Sequence, residues 1–137
     1  MNETIALVRA YYDAFNRGDT AAMLALLTDD VAHDINQGGR ETGVDAFGRF
    51  MERMNAAYRE QLTDIVVMAT PDGTRAAAEF TVHGIYLKAE EGLPPAREQR
   101  YLLPAGAFFD VRGGKIARVS NFYNLPDWIR QVGGGKS

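Results

Sequence analysis

The acid and base chemistry open to this chain rests on few side chains. It has no cysteine, and its two serines, Ser120 and Ser137, lie outside the glycine-flanked turn that a serine hydrolase needs. The two histidines, His33 and His83, are fifty positions apart and lack the spacing of paired metal ligands. We therefore expect no metal site and no covalent nucleophile, which leaves proton transfer by polar side chains.

His33 and Asp34 are the first candidates for proton transfer, because they interrupt an apolar segment that predicts a short strand over residues 31–36. Neighbouring side chains on a pleated strand point to opposite faces, so one of the two faces inward. The residues alone leave open which one it is. They also leave open a purely structural role, with His33 partly buried and Asp34 in solvent.

Several classes of partner are not expected. The sequence Gly135-Lys136-Ser137 imitates the end of a phosphate-binding loop, but Arg130 occupies the position of the first glycine, so no nucleotide cofactor is expected. Fifteen basic and eighteen acidic residues give a net charge of −3, which does not favour nucleic acid. Apolar runs are far shorter than the roughly 18 residues of a membrane span, and the first ten residues lack a secretory apolar region. We expect a cytoplasmic protein without a membrane or nucleic-acid partner.

The first half of the chain predicts three helices. Ile5, Val8, Tyr12 and Phe15 recur at steps of three and four, and Gly18 is placed to end that helix. A second helix is predicted over residues 20–27, with Asp19 as its cap, and a third after Thr42 and Asp45, which resemble a capping box.

The second half predicts strands in an antiparallel meander. The predicted strands cover residues 62–70, 75–88, 99–111 and 115–124, and the longest connection spans residues 89–98. Helices followed by antiparallel strands indicate an α+β fold in which helices cover one face of a curved sheet. We expect one domain over residues 1–132 and a flexible glycine-rich tail over residues 133–137.

The helical segments also carry a family resemblance. Residues 11–19 read Tyr-Tyr-Asp-Ala-Phe-Asn-Arg-Gly-Asp and residues 26–31 read Leu-Leu-Thr-Asp-Asp-Val, which resembles the opening of the ketosteroid-isomerase-like superfamily. That superfamily includes nuclear transport factor and SnoaL-like polyketide cyclases. Residues 33–41 and 121–128 further resemble a bacterial subgroup of ketosteroid-isomerase-related proteins.

This resemblance implies a cone-shaped barrel. Three N-terminal helices would pack on a strongly curved mixed, mostly antiparallel sheet and enclose an apolar pocket. It also implies a protein without cofactor that forms a homodimer through the outer face of the sheet.

The residues of the isomerase site carry over only in part. Tyr11 matches the tyrosine of the oxyanion hole, whereas the base position falls on Ile35, or on Asp34 if the strand shifts by one residue. The isomerases complete the oxyanion hole with a protonated aspartic acid on a late strand. Here that position falls at Gly106 or Ala107, which cannot donate a side-chain hydrogen bond. Steroid isomerisation by the family's mechanism is therefore not expected.

When this chain is aligned with the family without a gap, the base position falls on Ile35, and His33, two residues earlier on the same face of the strand, lies on the pocket side. The predicted catalytic residues are thus His33, Asp34 and Tyr11. Side chains on the same face of the predicted strands, and two from the third helix, are expected to line a pocket for a small apolar molecule. They are Phe50, Met54, Phe80, Val82, Tyr86, Leu103, Phe109, Asn121 and Tyr123. We expect a cofactor-free enzyme of isomerase, dehydratase or cyclase type that acts on a small apolar carbonyl compound. The alternatives are a non-catalytic carrier of an apolar metabolite and an interaction module that uses the outer sheet face.

Overall fold

The computed structural model describes residues 2–36 and 38–133. Gln37 and residues 134–137 lie outside this range, and with them all of the predicted tail except Gly133. Gly133 itself is the last residue of a helix.

The first two helices follow their sequence signals closely. Helix α1 spans Asn2–Arg17, and Gly18 follows it with a φ of 72°, a left-handed conformation that favours glycine at a helix end. Asp19 then caps helix α2, Thr20–Ala25, by accepting a hydrogen bond of 3.0 Å from the amide of Ala22. Both the end of α1 and the cap of α2 are confirmed.

The next two helices depart from expectation at their starts. Helix α3 spans Val44–Ala57, and its cap is Gly43, with a φ of 104° and no side-chain hydrogen bond. The predicted capping box is wrong because Thr42 pairs with Ala32 as part of a strand. Helix α4, Leu125–Gly133, was not expected, although Asn124 caps it by accepting from the amide of Asp127 at 3.0 Å. No helix in the described ranges is both long and apolar enough to cross a membrane.

Six strands form one mixed sheet. They are β1 Leu27–Asp34, β2 Arg40–Thr42, β3 Tyr58–Ala69, β4 Arg75–Tyr86, β5 Gln99–Arg112 and β6 Lys115–Tyr123, in the order β2-β1-β6-β5-β4-β3. Strands β1 and β6 run parallel, and the other pairs are antiparallel. Strand β1 begins at Leu27, inside the predicted second helix, because Leu27 pairs with Ile116 on β6.

Helix α1 is fixed to the sheet where β3 bends. The side-chain amide of Asn16 donates to the carbonyl oxygen of Leu62 at 2.9 Å and accepts from its amide at 2.8 Å. Directly beyond, the pairing of β3 with β4 shifts register between Thr63 and Val66, and Asp64 has a φ of 55°. Such a bulge bends a strand and increases its twist.

The two faces of the curved sheet differ sharply. The helices cover the inner face, where Val8, Phe47, Phe109 and Ile116 are fully or almost fully buried. The outer face leaves large apolar side chains exposed, among them Leu102, Phe108 and Phe122. The predicted fold class, helices packed on a curved, mostly antiparallel mixed sheet, is confirmed.

Candidate active site

A cavity of about 460 Å³ lies between α3, α4 and the inner face of the sheet. Most of its walls are apolar, with polar groups at separate points. Its lining includes eight of the predicted site residues, namely His33, Phe50, Met54, Phe80, Val82, Leu103, Asn121 and Tyr123.

The other four predicted site residues do not line this cavity. Tyr11 and Phe109 pack against each other in the core, with ring centroids 5.9 Å apart, and burial raises the pKa of the Tyr11 phenol. Tyr86 is fully buried, and its hydroxyl donates to the carbonyl oxygen of Pro94 at 2.6 Å. The structure thus places Tyr11 in the packed core and not in the wall of the cavity that His33 lines.

His33 stands at one end of the cavity. It is only 2 % exposed, and its ring packs between Phe47 and Phe50, with centroid distances of 4.4 and 4.6 Å. Burial lowers the pKa of His33 below its ordinary value of 6.5, so the ring is mainly neutral at pH 7. The Nδ2 atom of Asn121 lies 3.4 Å from Nε2, a long contact that a ligand can replace.

Glu41 is the neighbour of His33 on strand β2. The two residues lie directly opposite each other on β1 and β2, so their side chains share one face. The Nδ1 atom of His33 and the Oε1 atom of Glu41 are both buried and find no hydrogen-bond partner among the described residues. The negative charge of Glu41 raises the pKa of His33, which partly opposes the effect of burial.

Asp34 points away from the cavity. Its carboxylate accepts two hydrogen bonds from Arg40, at 2.6 and 3.0 Å, and one from the hydroxyl of Ser120 at 2.5 Å. These hydrogen bonds, with Arg40 as the largest contributor, hold the pKa of Asp34 down to about 2. Of the two adjacent candidates, the structure therefore brings His33 to the cavity and leaves Asp34 on the outer face.

Glu60 is a cavity residue that the sequence analysis missed. Its Oε2 atom accepts a hydrogen bond of 2.5 Å from the hydroxyl of Tyr101, and burial raises the pKa of the Glu60 carboxyl. The predicted strand began at Leu62, which left Glu60 without a predicted face. Gly84, at an inward position of β4, is a signal that could have revealed it, because glycine within a strand often marks a close approach.

Helix α4 closes the Glu60 end with aromatic packing. The ring of Trp128 lies 4.9 Å from that of Tyr86 and 5.9 Å from that of Tyr101, and Trp128 is almost completely buried. Tyr58, stacked on Tyr86, donates a hydrogen bond of 3.0 Å to Glu90. Trp128 therefore seals this end while still contributing to the cavity wall.

A second depression, of about 540 Å³, lies beside the first between the end of α3 and residues 88–93. It is lined by alanines, by Leu93 and by the charged side chains Arg53, Lys88, Glu90 and Glu91, and its lining contains neither His33 nor Glu60. Within residues 2–36 and 38–133, no three His, Asp or Glu side chains are grouped so that they could hold a metal ion.

Comparison with known proteins identifies the family to which this chain belongs. Residues 8–119 match the model of the SnoaL-like domain. The chain belongs to the SnoaL-like domain family. No curated protein matches the chain.

Solved structures resemble this SnoaL-like protein over nearly its whole length. A proposed polyketide cyclase from Pseudomonas putida KT2440 is 65 % identical, with 92 % of this chain and 95 % of that chain covered and a TM-score of 0.91. A proposed polyketide cyclase from Xanthomonas campestris pv. campestris is 61 % identical, with coverages of 95 % and 96 % and a TM-score of 0.92. An NTF2-like protein of unknown function from Burkholderia pseudomallei K96243 is 18 % identical, with coverages of 96 % and 98 % and a TM-score of 0.80, and shares the fold.

Proposed function

We propose that this SnoaL-like protein is a cofactor-free acid/base enzyme, of isomerase, dehydratase or cyclase type, that acts on a small apolar carbonyl compound. One observation carries the proposal. His33 is buried, is mainly neutral at pH 7, and lies in the wall of an otherwise largely apolar cavity. A neutral imidazole in such a place is available to take a proton.

The proposed reaction starts at the carbon next to the carbonyl group. The lone pair of Nε2 takes a proton from that carbon, and the electron pair of the broken C–H bond moves to form an enolate. Asn121, whose amide is next to Nε2, is replaced there by the ligand. If the enolate is conjugated with a C=C bond, return of the proton to the far carbon of that bond gives an isomer. Attack of the enolate carbon on a second carbonyl carbon instead closes a ring, and the alkoxide that forms takes the proton back from His33.

The two highly identical relatives support the cyclase branch of this proposal. Both are named as proposed polyketide cyclases, and a polyketide chain carries repeated carbonyl groups with acidic C–H bonds between them. A cavity of about 460 Å³ falls within the usual range for small-molecule sites.

The experiment that tests the proposal follows hydrogen exchange next to a carbonyl group. The protein is incubated in D2O with 2-tetralone or benzoylacetone, and loss of the α-proton signal is recorded by NMR. Trp128, the only tryptophan of the chain and part of the cavity wall, reports binding by its fluorescence. We expect His33→Gln to bind both ketones and to lose about 100-fold or more of the exchange rate.

His83→Gln is the matched control, because His83 is exposed on the outer face and its Nε2 atom lies 2.9 Å from the hydroxyl of Thr63. It should exchange like the wild type. Binding without exchange in all three proteins would contradict the enzyme and favour a carrier of apolar metabolites. If neither ketone binds, the outer sheet face becomes the better candidate.

We further propose that the protein forms a homodimer through this outer face. Phe108 and Phe122 are about half exposed and pack edge to face, with ring centroids 5.7 Å apart, and Leu102 is exposed on the same face. Exposed apolar patches of this kind mark contact surfaces. In sedimentation equilibrium, the wild type should have the mass of two chains and Phe108→Lys that of one, and a monomeric wild type would contradict the dimer.

A further inference from the structure

Three inward positions on adjacent strands form one row, and the first of them, Glu60, lines the same cavity as His33. Glu60 on β3 pairs with Gly84 on β4, and Gly84 pairs with Tyr101 on β5. Directly paired positions in antiparallel strands place their side chains on one face. Glu60 and Tyr101 are therefore separated by a position that carries no side chain.

The missing side chain at position 84 is what lets the two meet. A Cβ atom at Gly84 would lie 2.1 Å from Cζ and 2.4 Å from the hydroxyl oxygen of Tyr101, because the tyrosine ring lies across the glycine. From there the hydroxyl donates its hydrogen bond of 2.5 Å to Oε2 of Glu60. The second oxygen, Oε1, has no hydrogen-bond partner in the described part of the chain, which leaves it free for a ligand.

The surroundings of Glu60 favour a neutral carboxyl group. No Lys, Arg or His of the described ranges forms an ion pair with it within 4.0 Å, and burial raises its pKa more than the Tyr101 hydrogen bond lowers it. The other ionisable groups of the cavity wall are His33, Arg53, Tyr58, Glu90 and Tyr123. Of these, Glu90 accepts a hydrogen bond from Tyr58.

We propose that Glu60, held by Tyr101 across Gly84, is the acid that donates its proton to the carbonyl oxygen of the ligand while His33 acts as the base. This assignment rests on the proposed function. When His33 removes the proton from carbon, the electron pair forms the C=C bond of the enol, and the carbonyl oxygen takes the proton of Glu60. The resulting carboxylate is stabilised by the Tyr101 hydroxyl, and it regains the proton when the carbonyl group re-forms.

The test combines one variant with a direct titration of the wild type. Glu60→Gln keeps an oxygen that can accept from Tyr101, but it has no carboxyl proton to give. It should bind 2-tetralone within about threefold of the wild type and exchange it about 100-fold more slowly. In the wild type, carboxyl ¹³C signals of labelled glutamate should show that bound 2-tetralone moves the titration of Glu60 to higher pH, because a donated hydrogen bond favours the protonated form.

Glu52→Gln is the matched control, since Glu52 is exposed on helix α3 and does not line the cavity. If His33→Gln loses exchange while Glu60→Gln keeps it, the role of Glu60 is overturned and the proposed function stands. If no protein exchanges but 2-tetralone still moves the Glu60 titration, the catalytic function fails and Glu60 remains the group that binds the carbonyl oxygen. If binding leaves the titration unchanged, or 2-tetralone does not bind, the assignment of Glu60 is overturned.

Discussion

The two ends of the cavity hold their ionisable groups in opposite ways. At one end, the Nδ1 atom of His33 and the Oε1 atom of Glu41 are buried on the same face with no partner among the described residues. At the other end, Glu60 is tied to Tyr101 by a hydrogen bond of 2.5 Å. Packing holds the His33 side chain in place, whereas a hydrogen bond holds the Glu60 side chain.

This difference fits opposite tasks in proton transfer. A base needs a free lone pair, and His33 is held by the rings of Phe47 and Phe50 rather than by strong hydrogen bonds. An acid benefits from a donor that stabilises the charge left behind, which the Tyr101 hydroxyl supplies to Glu60. A buried unpartnered polar atom costs about 1–3 kcal/mol, so the Nδ1 atom of His33 and the Oε1 atom of Glu41 each lower the stability of the folded state.

The largest effect is expected from Gly84→Ala, which adds a side chain at the strand position between Glu60 and Tyr101. The new methyl group would overlap the Tyr101 ring, which is itself packed against Trp128, so the ring cannot move freely. We expect a loss of about 3 kcal/mol in the free energy of unfolding, measured with urea.

The control for this variant is Gly39→Ala, because a Cβ atom at Gly39 would meet no atom of the described residues within 4 Å. In a Tyr101→Leu background the cost of Gly84→Ala should fall below about 1 kcal/mol, since the ring that it meets is gone. An equal cost in both backgrounds would show that Tyr101 is not the reason for the glycine.

A second prediction concerns the pH dependence of stability at the same end. Because the pKa of Glu60 is raised in the folded protein, the folded state holds its proton above the ordinary value of 4.5, and stability falls as the pH rises from there. Glu60→Gln removes this loss of stability at higher pH. Its melting temperature should exceed that of the wild type by about 3 °C at pH 8 and match it near pH 4.

Glu52→Gln, exposed on helix α3, should follow the wild type at both pH values. A gain for Glu60→Gln that is the same at pH 4 and pH 8 would mean that the titration of Glu60 is not its cause.

A third prediction concerns the His33 end. The charge of Glu41 raises the pKa of His33, so Glu41→Gln should lower that pKa further. A weaker base should slow α-proton exchange by a few-fold. Titration of the His33 ring by ¹H–¹⁵N NMR measures the change, with the His83 ring in the same spectrum as an internal control. A rise in the pKa of His33 would contradict the expected influence of Glu41.

Much of the fold could be predicted because local signals and tertiary structure agree. Apolar periodicity and Gly18 predict helix α1, and the long strands β4 and β5 alternate clearly between buried and exposed residues. The predictions failed where pairing between distant segments decides. Leu27 looks helical but pairs with Ile116, and Thr42 looks like a helix cap but pairs with Ala32. Helix α4 had a usable signal in Asn124, Pro126 and Asp127.

The candidate site was less predictable than the fold, since it depends on register. Alternation along the strand indicates that either His33 or Asp34 faces the cavity, but it does not indicate which of the two. The Glu60–Tyr101 contact joins residues that are far apart in sequence, and it requires that both pair with Gly84. Nothing in the local pattern around Glu60 shows this, whereas the inward glycine in β4 does once the strands are aligned.

The smallest effect is expected from Asp34→Asn, the neighbour of His33 on the outer face. Because Arg40 and Ser120 lower the pKa of Asp34 to about 2, the carboxylate contributes stability above its ordinary value of 3.8, and this contribution is lost as the pH falls toward 2. The contact with Arg40 is largely exposed, so Asp34→Asn should cost about 0.5 kcal/mol at pH 7 and nothing at pH 2. It should also leave the exchange of 2-tetralone unchanged, since the pleat of β1 turns Asp34 away from the cavity that His33 faces. A loss of exchange comparable to that of His33→Gln would mean that the outer face takes part in the chemistry, and the division of labour between the two ends of the cavity would no longer hold.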